Sequence, residues 1–215
     1  MGETQAKQFL DLGGRPLLAV TLESFQQSPA IGRIILIVPR EEVDFCRRAV
    51  VRTYGLEKVE TVVAGGSHRQ ESVRIGIECV GDGWDLVLIH DAARPMVSVE
   101  LIERVVAAAG EHRAVTTGLP ARDTIKEVDG HNVITKTCDR QKLWLIQTPQ
   151  IFRYQDIVNA HSLALCQGWE DATDDACLVE RMGIPVKVIE GSEENIKVTT
   201  PFDIALARFL LEKKQ

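Results

Sequence analysis

Residues 86–95 read Leu-Val-Leu-Ile-His-Asp-Ala-Ala-Arg-Pro. The aliphatic run is too short for a helix, and Val87 and Ile89 favour extended backbone, so Leu86 to His90 reads as a buried strand. In an open parallel sheet, ligands gather just beyond the carboxyl ends of the strands, and that is where Asp91 and Arg94 fall. An acid at a strand end can hold Mg²⁺, which takes one or two carboxylates and completes its octahedron with water and phosphate oxygens. It can equally be a turn or cap residue. Arg94 can pair with a phosphate or with a neighbouring carboxylate.

On either side of this stretch, apolar runs of strand length alternate with segments of helical period, the pattern of a mostly parallel sheet covered by helices. Upstream, Ile34 to Val38 and Lys58 to Val63 read as strands. The first is followed by a helix over Glu41 to Tyr54 and the second by one over Arg69 to Val80. Downstream, Ser98 caps a helix to Ala109, and Ala114 to Leu119 is the next strand. Helices follow at Tyr154 to Gln167 and at Asp174 to Met182, the latter with Thr173 as its cap. A strand at Val186 to Ile189 comes next. A final helix opens on Thr200, Pro201 and Asp203, an arrangement like a capping box. The first helix, roughly Pro16 to Phe25, is preceded by polar residues and by Gly13-Gly14, with no strand before it. The chain divides into no separate domains, so residues 1–215 are expected to form one.

One segment departs from the alternation. Asp123 to Arg140 reads DTIKEVDGHNVITKTCDR, two polar strand-like runs around Asp129-Gly130, which predicts a hairpin. An isolated two-stranded ribbon is not stable in water, so it needs a partner surface. Two surfaces are open to it: its own domain, or a second subunit reached as an arm.

Composition narrows the function. A formal net charge of −6 over 215 residues argues against broad nucleic-acid or membrane-surface binding, while leaving room for a local cation cluster around a small anion. The five cysteines are scattered, with no CxxC spacing, which fits a reduced cytoplasmic compartment. The five histidines form no metal-ligand spacing with each other or with cysteine. No apolar run is long enough to span a bilayer, and Met1 leads into polar residues and not into a signal sequence. After Val63 comes AGGSHRQES, in which Gly65 and Gly66 permit close backbone approach and Ser72 lies on the first turn of the next helix. An ordinary glycine turn reads the same way. Lys7, Arg140 and Lys197 are isolated cations in segments that read as loops or strand ends, and spacing alone does not bring them together.

Read together, AKQF at Ala6 to Phe9, GGSHRQES, VLIHDAARP, RDTIK, the DR of TCDRQKLW, TPQIF at Thr148 to Phe152, TDDA and NIKVTTPFD carry a resemblance. Over Met1 to Phe209 the chain resembles the 2-C-methyl-D-erythritol 4-phosphate cytidylyltransferases. The resemblance implies a Rossmann-like α/β domain with a protruding β-hairpin arm, dimerised through that arm, using CTP and Mg²⁺ and releasing pyrophosphate. Lys7 matches the lysine that stabilises charge at the α-phosphate. Gly66 and Ser72 match residues near the cytosine and ribose. Asp91 matches the acid beside metal and substrate, with Ala92 and Arg94 as its neighbours. Thr124, Arg140 and Thr148 match positions around the methylerythritol phosphate, the first two supplied by the partner's arm. Lys197 matches a cation that positions the attacking phosphate. Ser67 departs from the family, which often has an acid there.

The family opens with a strand and a glycine-rich turn of the type AAGxGxRM, and Met1 aligns with its last residue. Three expectations follow from that alignment. The sheet should show an unfilled or substituted position beside the strand ending at Ile89, Met1 to about Gln8 should be mobile, and the chain as written should turn CTP over feebly. Two other readings stand beside the erythritol-phosphate enzyme: a cytidylyltransferase for another polyol phosphate such as ribitol 5-phosphate, and a non-catalytic dimeric protein.

Overall fold

The computed structural model describes residues 10–213. Lys7 and the expectation for Met1 to about Gln8 lie outside the described residues. The described chain carries eight strands and seven α-helices. They are α1 (Leu17–Gln27), β1 (Ile34–Val38), α2 (Val43–Phe45), β2 (Val59–Ala64), α3 (Arg69–Val80), β3 (Leu86–Ile89), α4 (Val99–Ala108), β4 (Ala114–Pro120), β5 (Lys126–Val128), β6 (Ile134–Thr137), β7 (Trp144–Arg153), α5 (Tyr154–Gln167), α6 (Asp175–Arg181), β8 (Val186–Glu190) and α7 (Pro201–Glu212). The helix expected over Glu41 to Tyr54 is a composite. A 3₁₀ turn at Arg40–Glu42 and a π-helical stretch at Cys46–Arg52 flank the short α2.

Strands β3, β7, β4 and β8 form one sheet in that order. Only β7 runs against the others: it is antiparallel to β3 and β4, while β4 and β8 are parallel. Strand β7 has no counterpart in the sequence reading. Proline is disfavoured inside a strand, and Pro149 interrupts this one, while its first three residues, Trp144, Leu145 and Ile146, are exposed apolars without alternation. The register of β7 against β4 explains how the proline is tolerated. Thr116 faces Gln150 and Thr117 faces Gln147, so Thr148 and Pro149 bulge out between them, at the point where β3 has ended opposite Gln150.

Strands β1 and β2 pair in parallel as a separate ribbon. Between β1 and β3 lies a cavity of about 670 Å³, and every residue of both strands lines it. Leu18 and Phe25 from α1 and Val73 and Ile77 from α3 close its sides. Among the described residues, the edge of β3 away from β7 pairs with no strand. The cavity explains why the aliphatic side chains of β3 are only half-buried. On its other side β3 is fully paired with β7, and the core there is dense around Phe152, Ile157, Leu178 and Val179.

Local signals set most helix starts. Ser98 accepts from Leu101 N–H at 3.1 Å, and Thr200 and Asp203 form a full capping box with Pro201 in the first turn. For α6 the cap is Asp174 and not Thr173, because the Asp174 carboxylate accepts the Cys177 N–H at 2.9 Å. The expected hairpin is present: β5 and β6 pair antiparallel, and the Asp129 carboxylate accepts from the His131 and Val133 N–H groups in its turn. All residues of both strands are exposed, including Val128 and Ile134.

Candidate active site

The strand-end segment HDAARP is anchored before it is functional. Thr21 of α1 donates to the Ala92 carbonyl at 2.8 Å, and Ser24 donates to the Val97 carbonyl at 2.7 Å, which ties the loop to α1. The bulge in β7 delivers Thr148, whose hydroxyl accepts the Asp91 N–H at 3.0 Å and lies 3.1 Å from His90 Nδ1. His90 Nε2 is 3.2 Å from the Arg94 carbonyl, which can only accept. One assignment satisfies all three groups: His90 is neutral with its proton on Nε2, and Thr148 donates to Nδ1 while accepting from Asp91 N–H. Burial supports that state by pushing the His90 pKa down to about 4.

A second loop, residues 191–198, is sewn onto the same place. Gln147 donates to the Ser192 carbonyl at 2.9 Å, Asn195 donates to the Thr148 carbonyl at 2.8 Å, and Val198 N–H donates to the Ala93 carbonyl at 2.8 Å. Arg94 is buried and donates to the Asn195 carbonyl at 2.9 Å. These bonds fix Lys197 opposite Asp91, with Nζ 2.8 Å from Oδ2. The other oxygen of Asp91 accepts from Arg69 Nε at 3.1 Å, and Arg94 Nε stands 3.9 Å from Oδ2. Burial raises the Asp91 pKa, but the hydrogen bond from Lys197 and the charge of Arg69 outweigh it, and the carboxyl is held down at about 2. Asp91 is therefore ionised throughout the neutral range, in a cluster where cations outnumber it.

The glycine turn lies at the mouth of the same cavity. Gly65, Gly66, Arg69, Ser72, Asp91 and Ala92 all line it. Gly66 N–H donates to the Ser72 hydroxyl at 3.1 Å. A Cβ on Gly66 would meet the Glu71 side chain, itself held by the N–H and hydroxyl of Ser67, so the turn is tightly filled there. Ser67 thus serves the turn from within.

Of the residues singled out in the sequence, Gly66, Ser72, Asp91, Ala92, Arg94, Thr148 and Lys197 come together. Thr124 and Arg140 do not join them within one chain. Both are exposed, at the base of the hairpin, and Arg140 donates to the Arg122 carbonyl at 2.7 Å. Sequence reasoning missed Arg69, His90, Gln147 and Asn195 as members of the site. Arg69 stands in GGSHRQES and His90 in HDAARP, so proximity to those motifs was the available signal. Gln147 and Asn195 carried none.

The cluster supplies fixed charge around one carboxylate and no exposed proton shuttle. Such a site, at the carboxyl ends of the strands, can hold and polarise phosphate groups by electrostatics. Residues 1–213 match the family described as 2-C-methyl-D-erythritol 4-phosphate cytidylyltransferase. A protein of that name from Syntrophotalea carbinolica is 48% identical over 214 residues, covering 99% of this chain and 91% of the relative. One from Geobacter metallireducens is 43% identical over 217 residues, covering 100% and 93%. The crystal structure of 4-diphosphocytidyl-2C-methyl-D-erythritol synthase from Anaerococcus prevotii superposes with a TM-score of 0.85 at 31% identity, covering 94% of this chain and 88% of that one. That of the cytidylyltransferase from Thermus thermophilus gives 0.79 at 35% identity, covering 96% and 94%. The chain belongs to the 2-C-methyl-D-erythritol 4-phosphate cytidylyltransferase family.

Proposed function

We propose that the protein transfers the cytidylyl group of CTP to 2-C-methyl-D-erythritol 4-phosphate and releases pyrophosphate. The observation that carries this reading is the Asp91 carboxylate at the end of β3, clamped by Lys197 and Arg69 beside the Gly66–Ser72 turn. The acceptor phosphate is already a nucleophile, so the chemistry needs no general base. What it needs is two anions held in line and compensation for charge gathering at the α-phosphate and the leaving group. Lys197, with 44% of its side chain exposed, is placed to turn from Asp91 to an incoming phosphate. Gly66, Ser72 and Ala92 border the space for the nucleoside. Thr148 acts mainly by fixing the Asp91 backbone.

Among the described residues no group of three or more acidic, histidine or cysteine side chains is set to hold a metal. The fit is therefore to an ion that accepts a single protein carboxylate, Asp91, and takes its other ligands from water and phosphate, as Mg²⁺ does. When bound, Mg²⁺ would neutralise charge on the phosphate oxygens.

The exposed arm supports a homodimer. Val128, Val133, Ile134, Leu145 and Ile146 are apolar and uncovered, and a second copy would bury them and bring Thr124 and Arg140 to the partner's site. The five free cysteines fit action in the cytoplasm, and no described helix is long and apolar enough to cross a membrane. The test is pyrophosphate release from CTP with 2-C-methyl-D-erythritol 4-phosphate and, separately, with ribitol 5-phosphate. Faster turnover with the first is expected. A preference for ribitol 5-phosphate moves the assignment to the related polyol, and no release with either acceptor overturns it.

A further inference from the structure

Asp175 is 1% exposed, and a carboxylate buried so deeply needs partners that compensate its lost hydration. It is not spent on capping α6, because Asp174 does that. One of its oxygens takes His161 Nε2 at 3.1 Å, and His161 is itself buried. The other stands 2.8 Å from Arg69 Nη1, an ion pair too far off line to count as a hydrogen bond. Arg69 thus faces two carboxylates at once: Nη1 toward Asp175 and Nε toward Asp91 Oδ1. The favoured geometry of an arginine with a single carboxylate is a two-pronged fork that uses both oxygens. Arg69 instead spans two carboxylates, and it takes only Oδ1 of Asp91. Oδ2 is left to Lys197, the most exposed of its cations.

We propose that Asp175 is a positioning residue for phosphate transfer: by holding Arg69 Nη1 it fixes the guanidinium with Nε on Asp91 Oδ1, and so keeps Asp91 in place with Oδ2 turned to Lys197 and the incoming substrate. Without it, Arg69 loses its buried anchor, and Asp91 loses the cation that fixes Oδ1 and is misplaced relative to the incoming polyol phosphate and whatever counter-ion accompanies it. The inference rests on the role proposed above for Asp91.

The test is steady-state kinetics of Asp175→Asn with CTP and 2-C-methyl-D-erythritol 4-phosphate, in a preparation of the enzyme that turns over, with thermal melting run alongside. Asn keeps the shape and removes the charge. The expected result is a KM for the polyol phosphate raised about tenfold or more, with a smaller change in the KM for CTP, since misplacement by about an ångström commonly costs that much or more. A purely structural role would lower the melting temperature and the active fraction, hence kcat, and leave KM alone. Arg69→Lys, whose ammonium cannot bridge both carboxylates, is expected to raise the same KM, and Asp175→Asn should add little in that background. A wild-type KM in Asp175→Asn overturns the proposal. Should that variant fail to fold, a wild-type KM in Arg69→Lys does so. Asp91→Asn separates the two levels. If it is fully active, the functional reading and this inference fall together. If it is impaired while Asp175→Asn behaves as wild type, only the positioning role is lost.

Discussion

The strand-end cluster and the hairpin arm use the same residue types and face opposite solvents. At the end of β3, Asp91 is 15% exposed and sits among Arg69, Arg94 and Lys197. On the arm, Lys136 and Glu127 pair across the ribbon at 3.2 Å with side chains 65% and 55% exposed. Distance does not distinguish the two; desolvation does. In a buried cluster, removing one charge strands its partners in low dielectric, whereas in water each partner simply rehydrates. The cluster is therefore sensitive to every member, and the arm should matter only where a second molecule covers it.

Substitutions at Lys197 and Arg140 set the comparison under the greatest strain. Lys197→Ala and Arg140→Ala are each expected to lower kcat/KM by about tenfold or more, measured by pyrophosphate release in an active preparation, because each places the attacking phosphate. They should differ in melting. Lys197→Ala removes a partner of a partly buried carboxylate and is expected to shift the transition, while Arg140→Ala, on the open arm, is not. Near-normal turnover in either variant removes that residue from the site.

Next in size is the arm itself. Ile134→Asp places a charge among the exposed apolar residues of the ribbon and is expected to shift sedimentation at micromolar concentration from dimer to monomer. Activity should fall with it, since loss of one interface damages both symmetry-related sites. An unchanged dimer with full activity would show that the ribbon faces water in the assembly as well.

His90 provides a pH test on the cluster's side. Its folded pKa of about 4 lies below its usual 6.5, so as pH falls between those values the unfolded chain takes up a proton that the folded chain refuses. Stability should therefore decrease through that window, by up to ~3 kcal/mol at its lower end. Denaturant titrations at pH 7 and pH 4.5, repeated on His90→Gln, check this. The variant should lose most of the slope, and an equal slope in both proteins would assign the acid sensitivity elsewhere.

Much of this was legible in the sequence, for reasons that follow from the same contrast. Strands β1 and β3 read as aliphatic runs although both border the cavity and β3 is only half-buried, and Ser98 and Thr200 announce helix starts through side chains that act within a few residues. Asp91 was legible because a strand end is a place where chemistry is expected. Strand β7 was not, since its bulge at Thr148-Pro149 breaks the pattern that names a strand while creating the geometry that holds Asp91. Nor was Arg69, because its importance comes from Asp175, more than a hundred positions away, and no local periodicity records a contact across that span. Asn195 and Gln147 matter through backbone carbonyls, to which sequence is nearly blind.

The smallest expected effect is the one that would most sharpen the contrast. For the monomeric Ile134→Asp background, a double-mutant cycle on Glu127→Ala and Lys136→Ala should give a coupling of less than ~1 kcal/mol, the range for exposed pairs, which screening by salt reduces further. If the arm is covered by a second subunit, the same cycle in the dimer reads differently. Each single variant would leave its partner desolvated at the interface, and the coupling measured through dimer dissociation should exceed the monomer value. Salt supplies a second axis, because a covered pair is screened less than an open one. A coupling that is equal in monomer and dimer, and equally weakened by salt, would mean that the pair stays in water when two chains meet. The contact between subunits would then run along the apolar residues Val128, Ile134 and Leu145 without enclosing the charges beside them.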